Sequence, residues 1–445
     1  MEPAVYGLNQ SMKVDKLNIL VLHSLGDMES APLFLRHHVF LLERNCPGHN
    51  YLYHDSALPL PNYVRETDFD LIVLDVTFLH ARWNPPKVYC RIKEEYAFVK
   101  NSGAVKIAFP QDEYDCNETL DEWMCEWGVD VVYSVISEHW DVLYPKYHKI
   151  GNIRLGFTGY VDESLINRDR KPFEDRSIDI GYRAKKLPPY FGRLGETKWT
   201  IGRDVAALAK SAGLAVDVSV GDKSTLLGEA WLEFINNSKF TLGANSGSSL
   251  LDPRGKIQHD VRSYLRDNPE CTFDQVEELF FRGLDGKFQF TAISPRVMEA
   301  ALLDSCQILV EGDYSHILTP WEHYIPIKSD ASDFEQVLEA MRDHSTVKKM
   351  IARTRSTILD ANDLRSANMA RKILDEAADF VTRKNARSSC LDVERVIQRY
   401  KNEMTRDRYG AQWRRKDIRR RVIRLIGNYP IVDRWARIAY SYINR

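Results

Sequence analysis

The chain has 445 residues, 44% of them hydrophobic and 28% charged, with a formal net charge of −2. That length is more than one core usually serves, so two domains are expected, and no apolar run approaches the roughly 18 residues of a membrane-spanning helix. The small net charge hides a polarity: residues 341–445 hold 26 Lys and Arg against 12 Asp and Glu, and the remainder holds 35 against 51.

The opening stretch, MEPAVYGLNQSMKVDK, has no apolar core between a basic start and a cleavage site, so no secretory signal is expected. From residue 17 apolar strands alternate with helices. LNILVLH (17–23) precedes a long amphipathic helix at about 29–44. YLYH (51–54), DLIVLDV (70–76), a helix around 86–100 and AVKIAF (104–109) follow. A helix around 118–127, VDVVYSV (129–135), a helix around 138–147 and NIRLGF (152–157) close the series. Continuous Val/Ile/Leu strands of this kind predict a parallel sheet covered on both faces.

Residues 158–176 are polar and irregular and read as a linker. The alternation restarts with SIDIGYR (177–183), a helix near 198–212, LAVDVSV (214–220) and a helix near 226–236. KFTLGA (239–244), a helix at Pro295–Leu303 and QILV (307–310) complete it. A charged, helical insertion is expected between Leu251 and Phe290, and helix from about 333 onward. The predicted fold class is therefore α/β: a Rossmann-like domain at 1–160, a second at 177–345, and a helical, basic extension at 346–445.

Open α/β sheets bind ligands beyond the carboxyl ends of their strands, which selects the loops to inspect. GYRAKKLPPYFGR puts Arg183, Lys185, Lys186 and Arg193 after a strand, where forked guanidinium groups and point-charge amines suit a diphosphate. A solvated basic loop is the plainer alternative. GANSGSS (243–249) offers glycines and small hydroxyls that let backbone amides approach an anion, or simply a tight turn. FPQDEYD crowds Asp112, Glu113 and Asp115 together, and Asp112 is the candidate general base. Among histidines, only His23 ends a strand in a position that suggests a site. The seven scattered cysteines lack a C-x-x-C pair, so reduced thiols in a cytoplasmic protein are expected, with no metal site.

SPRVMEAALLDSCQILVEGDYSHIL…HYIPI, with IGYRAKK and LGANSGSSLLDPRG upstream, resembles the C-terminal half of GT-B glycosyltransferases. More narrowly it is similar to the bacterial "glycosyltransferase family 1-like" group of surface-polysaccharide and spore-coat proteins. The resemblance covers 177–345 by motif and 17–157 by strand–helix pattern. It implies two Rossmann-like domains facing a cleft, a nucleotide-sugar donor, and a glycan or lipid-linked glycan acceptor. Glu299, in the E-A pair, is implied to bind the donor's ribose. Arg183, Lys185, Arg193, Arg296, Ser246 and Gly247 complete the expected donor side. Asp112 is expected to be catalytic, with His23, Gly26, Asp27 and Asp115 toward the acceptor or cleft. Retaining members carry a second glutamate eight positions before the first, where this chain has Thr291. No cofactor is expected: the cations and backbone amides would stabilise the departing diphosphate without a metal.

The last segment, 412–445, carries Ile418, Val422, Leu425 and Ile426 as a stripe among six arginines, then a second stripe after Gly427–Pro430. It fits an interfacial helix on anionic lipid, at about 1 kcal/mol per basic residue, or docking on the acidic body. The expected location is cytoplasmic and peripheral to the inner face of the membrane, with no nucleic-acid partner. Two rival functions share the fold: a sugar-nucleotide epimerase, and a catalytically silent scaffold.

Overall fold

A computed structural model describes residues 16–26, 31, 33–221, 226, 228–384 and 390–404. Its first unit is one parallel sheet of six strands: β1 (Asn18–His23), β2 (Asn50–Asp55), β3 (Leu71–Leu74), β4 (Val105–Ala108), β5 (Val131–Ser134) and β6 (Asn152–Leu155), in the order β2-β1-β3-β4-β5-β6. Both faces are buried, as the unbroken apolar strands require. Leu20, Leu22, Ile72 and Leu74 enter a core with Trp123 and Trp127, while Ile19, Val21, Leu71 and Val73 enter another on the opposite face.

The second unit holds β7 (Ile178–Ala184), β8 (Val216–Val220), β9 (Ser238–Gly243), β10 (Ser246–Ser248), β11 (Phe290–Ala292), β12 (Cys306–Val310) and β13 (Ile325–Ile327). Five of them form a parallel sheet in the order β13-β12-β9-β7-β8, and β10 and β11 form a separate antiparallel pair. The α/β expectation of two consecutive Rossmann-like units holds.

Three local expectations differ. The strand predicted through residue 76 stops at Leu74 because the Asp75 carboxylate caps the helix Val76–Leu79, accepting from the Thr77 amide. The single helix expected around 86–100 is two, Pro86–Glu95 and Phe98–Asn101. GANSGSS is not an open anion loop: Ser246–Ser248 is β10, where Gly247 pairs with Thr291.

The chain crosses between units twice, side by side. Val161 on the outward crossing donates to the Leu364 carbonyl at 2.8 Å, and the Ser366 amide donates back to the Val161 carbonyl at 3.1 Å. The described part of the extension expected at 346–445, residues 346–384 and 390–404, packs partly on each of the two units. Helix His344–Asp360 buries Val347 and Met350 in the second core. Helix Ser366–Lys384 lays Met369, Ile373 and Leu374 on the first sheet. Helix Cys390–Met404 follows there too: His54 lies buried between the hydroxyls of Tyr400 (2.8 Å) and Tyr96 (2.9 Å). The helix expected from about 333 onward is seen across the described residues, and its apolar side chains are buried within the molecule. The basic segment 412–445 lies outside the described residues. Among those described, no helix is long and apolar enough to cross a membrane.

The insertion forms helices Lys256–Asp267 and Phe273–Phe280, the latter started by a Thr272–Gln275 capping box. Its base grips the first unit. Cys116 donates its amide to the Asp252 carbonyl at 2.8 Å, Asp252 donates to Tyr114 at 3.0 Å, and Arg254 bonds Glu118 and Glu122.

Candidate functional site

In the second sheet β7 lies between β8 and β9, so the connections diverge to either side of it. Such a switch point is where open parallel sheets bind ligands. A cavity of about 270 Å³ opens there, between the carboxyl ends of β7, β9 and β12 and helices Glu229–Asn236 and Pro295–Leu302.

Four cations border it: Arg183, Lys185, Lys198 and Arg296. Arg183 is held by the Asp217 carboxylate and carbonyl, both at 2.8 Å, and its guanidinium lies 4.2 Å over the Phe234 ring. Arg296 donates to the Arg183 carbonyl at 2.5 Å and stacks 4.9 Å over Trp231. Lys185 is exposed on the rim. Lys198 comes from the helix Gly192–Ser211, which starts six residues earlier than its sequence suggests. Burial lowers the Lys198 ammonium to about 8; the Asp112 carboxylate opposes that shift and Arg296 adds to it. Lys198 therefore feels the charges of both Asp112 of the first unit and Arg296 of the second.

Other predicted donor residues are distributed less simply. Ser246 lines the cavity, whereas Gly247 serves packing: a Cβ there would come 1.8 Å from the Phe290 carbonyl oxygen. Arg193 points elsewhere, pairing with Asp274 and Glu277 and stacking on Phe273 in the insertion. Glu299 sits behind the lining, where Trp231 donates its indole N–H at 2.7 Å. Burial raises the Glu299 carboxyl pKa, against the Trp231 bond and the charge of Arg296. Lys198 and Trp231 had no sequence signal beyond their residue type, since neither stands in a strand-end loop.

On the first unit, buried Arg82 fixes the loop after β4. It donates to the carbonyls of Gln111 (2.7 Å), Asp112 (2.9 Å) and Asp115 (3.1 Å). Asp112 takes a left-handed conformation, φ 48°, and accepts the Tyr114 hydroxyl at 2.6 Å. Its two neighbours turn inward. Glu113 accepts from the Val135 amide (2.8 Å) and the Tyr144 hydroxyl (2.5 Å), and burial pushes its carboxyl up to about 7. Asp115 accepts from Gln258 of the insertion at 3.0 Å; burial, then Asp112, pushes it up to about 8. Asp115 thus seals the joint to the insertion and does not stand in the cleft, a correction that burial explains. Only Asp112 of the three remains partly exposed.

His23 is buried at the end of β1 among Phe40 and Tyr53, and burial lowers its pKa despite Asp55 and Asp75. Gly26, at φ 77°, donates its amide to Asp55 at 2.9 Å. Asp27 lies outside the described residues. Among the described residues no group of three His, Cys, Asp or Glu side chains could hold a metal ion.

No protein-family model and no curated protein matches the chain. Solved structures resemble it along most of its length. A glycosyltransferase from Rickettsia africae is 10% identical with a TM-score of 0.47, covering 82% of this chain and 98% of its own. HepE of Anabaena in complex with UDP is 7% identical with a TM-score of 0.48, covering 82% and 100%. An alpha-glucosyltransferase in complex with UDP-glucose and DNA containing an abasic site is 11% identical with a TM-score of 0.47, covering 82% and 100%. Likenesses at this level assign no activity to this chain.

Proposed function

We propose that the protein is a glycosyltransferase that moves a sugar from a nucleotide-sugar to a glycan hydroxyl, with the donor's diphosphate among Lys185, Lys198 and Arg296. The observation that carries this reading is the cation-bordered cavity at the second sheet's switch point, where the charge of Asp112 of the first unit is felt at Lys198. Preorganised cations facing a departing diphosphate supply transition-state stabilisation, and the reading assigns this role to side chains without a metal or cofactor. Asp112 takes the proton of the acceptor hydroxyl as its oxygen attacks the anomeric carbon. The bond from that carbon to the diphosphate breaks, and the nucleoside diphosphate leaves with the electron pair. Thr291, on β11 beside Gly247, offers no carboxylate at the position where retaining members of the resembling family have one, which favours inversion.

The reading continues to a growing bacterial surface glycan as acceptor, and to a peripheral position at the inner face of the membrane through the basic stripes of 412–445. The test is product analysis. Wild type incubated with nucleotide-sugars and lipid-linked glycans releases nucleoside diphosphate and yields a product with inverted anomeric configuration. Asp112→Asn keeps nucleotide binding and loses transfer. Donor isomerised without acceptor, or no turnover with any donor, sinks the proposal in favour of an epimerase or a silent scaffold.

A further inference from the structure

One side chain lining the cavity has an unmet bonding need. Thr241, 8% exposed in the middle of β9, has a buried hydroxyl with no hydrogen-bond partner, although the cavity reaches it. Buried hydroxyls are nearly always satisfied, so an orphan on a cavity wall points to a missing partner. Its register neighbours are Gly181 on β7 and Gln307 on β12, so the three form one row across the sheet, and all three line the cavity. Gln307, 2% exposed, donates its amide nitrogen to the Val297 carbonyl at 3.1 Å. That bond fixes which way the amide faces and leaves its oxygen as an acceptor.

Two residues further along each strand, toward the carboxyl edge, stand Arg183, Gly243 and Leu309, of which Gly243 and Leu309 are in register. Two residues of strand separate the rows, about 7 Å. The cavity therefore runs from a cationic rim to a neutral row with a hydroxyl and an amide oxygen side by side. Ile235 and Ala300 supply apolar walls. A ligand that matches both ends has an anionic group and, one sugar-length away, an uncharged ring with a carbonyl beside an N–H.

Taking the rim to hold a diphosphate, as in the reading above on which this rests, we infer that Thr241 and Gln307 read the donor's base by an imide edge, a ring carbonyl beside an N–H, which uracil, thymine and guanine carry and adenine and cytosine lack. The Thr241 hydroxyl donates to a ring carbonyl, and the Gln307 amide oxygen accepts the adjacent ring N–H.

The experiment is calorimetric titration of UDP, CDP, ADP, GDP and inorganic pyrophosphate into the full-length wild type, Thr241→Val and Gln307→Leu, each first checked by its melting curve. Thr241→Val keeps the shape and removes the orphan hydroxyl, so it folds as well as wild type. UDP or GDP is expected to bind tighter than ADP and CDP, Thr241→Val to weaken that binding about tenfold, and pyrophosphate to bind both proteins alike. Equal or tighter binding of ADP or CDP, or binding of the preferred nucleotide unchanged in Thr241→Val, overturns the assignment while leaving the donor site standing. Failure of every nucleotide and of pyrophosphate to bind wild type overturns the donor site itself.

Discussion

Trp231 donates its indole N–H to Glu299 at 2.7 Å while Arg296 stacks on the same indole at 4.9 Å, so one aromatic ring orients both charged residues of the helix Pro295–Leu302. Glu299→Ala is expected to weaken nucleotide binding roughly 10- to 100-fold by removing the charged acceptor that holds the Trp231 ring under Arg296 at the cavity. Trp231→Phe keeps a ring under Arg296 but removes the donor to Glu299. Its expected effect is smaller, about threefold to tenfold, and it disappears in a Glu299→Ala background. Additive losses in the double variant would show that the two residues act apart.

Lys198 gives a pH signature to the same event. Its ammonium titrates near 8 in the free protein, chiefly through burial, and bound phosphate favours the charged form. Affinity for a nucleoside diphosphate should therefore hold below pH 8 and fall above it, by up to about tenfold per pH unit. Lys198→Gln should bind more weakly at pH 7 and lose that decline. A wild-type affinity that stays flat from pH 7 to 9.5 would exclude Lys198 from the anion site.

The joint between the loop after β4 and the insertion makes a stability prediction. Unfolded, Asp and Glu carboxyls titrate near 4; burial keeps Glu113 protonated to about 7 and Asp115 to about 8. Between those limits the unfolded chain releases protons that the native state retains. Stability therefore falls as pH rises, by about 1.4 kcal/mol per unit per carboxyl, and levels off above pH 8. Asp115→Asn cannot ionise but can still accept from Gln258. Its urea midpoint should match wild type near pH 4.5 and exceed it at pH 8. A variant weaker than wild type at both values would mean that the carboxylate form is the stabilising one.

The β10–β11 pair admits no side chain at its centre. Gly247 has φ 121°, and a Cβ there would meet the Phe290 carbonyl oxygen at 1.8 Å. Gly247→Ala must displace β11, and with it Phe290, which packs in the first unit's core and stacks on Tyr114 with ring centroids 6.1 Å apart. The expected cost is at least about 2–3 kcal/mol in denaturant unfolding. A change under about 0.5 kcal/mol would show that the pair yields easily.

The first sheet was legible because β1, β3 and β5 lie in short, largely unbroken apolar runs, which predict parallel pairing with two covered faces; the second, with strands such as IDIGYRA and VDVSV, was legible from the strand–helix alternation. The positions of Arg183 and Asp112 near strand ends, and of Arg296 on the helix that precedes one, followed from the same pattern. What escaped depends on contacts distant in sequence. A helix was expected from about residue 198, but nothing in GETKWT signals that Lys198 borders the cavity and feels the charges of Asp112 and Arg296. Asp115 reads as well as Asp112 in FPQDEYD, and only Gln258, 143 residues later, shows that it is sealed in. Arg193 looked like a phosphate ligand until the insertion supplied Asp274 and Glu277. The return of the helices after residue 366 to the first sheet has the same cause, since an amphipathic face does not say what it will meet.

The central claim is that the cavity of the second unit holds a nucleoside diphosphate by its phosphates. It is tested most directly by calorimetric titration of a panel of nucleoside diphosphates, without added metal, into wild type and a Lys198→Gln/Arg296→Gln double variant at pH 7. The account predicts saturable one-to-one binding of one nucleotide to wild type, weakened about 100-fold or more in the double variant as two charged contacts are lost. Equal affinity for both proteins, or no binding by any nucleotide, would contradict it.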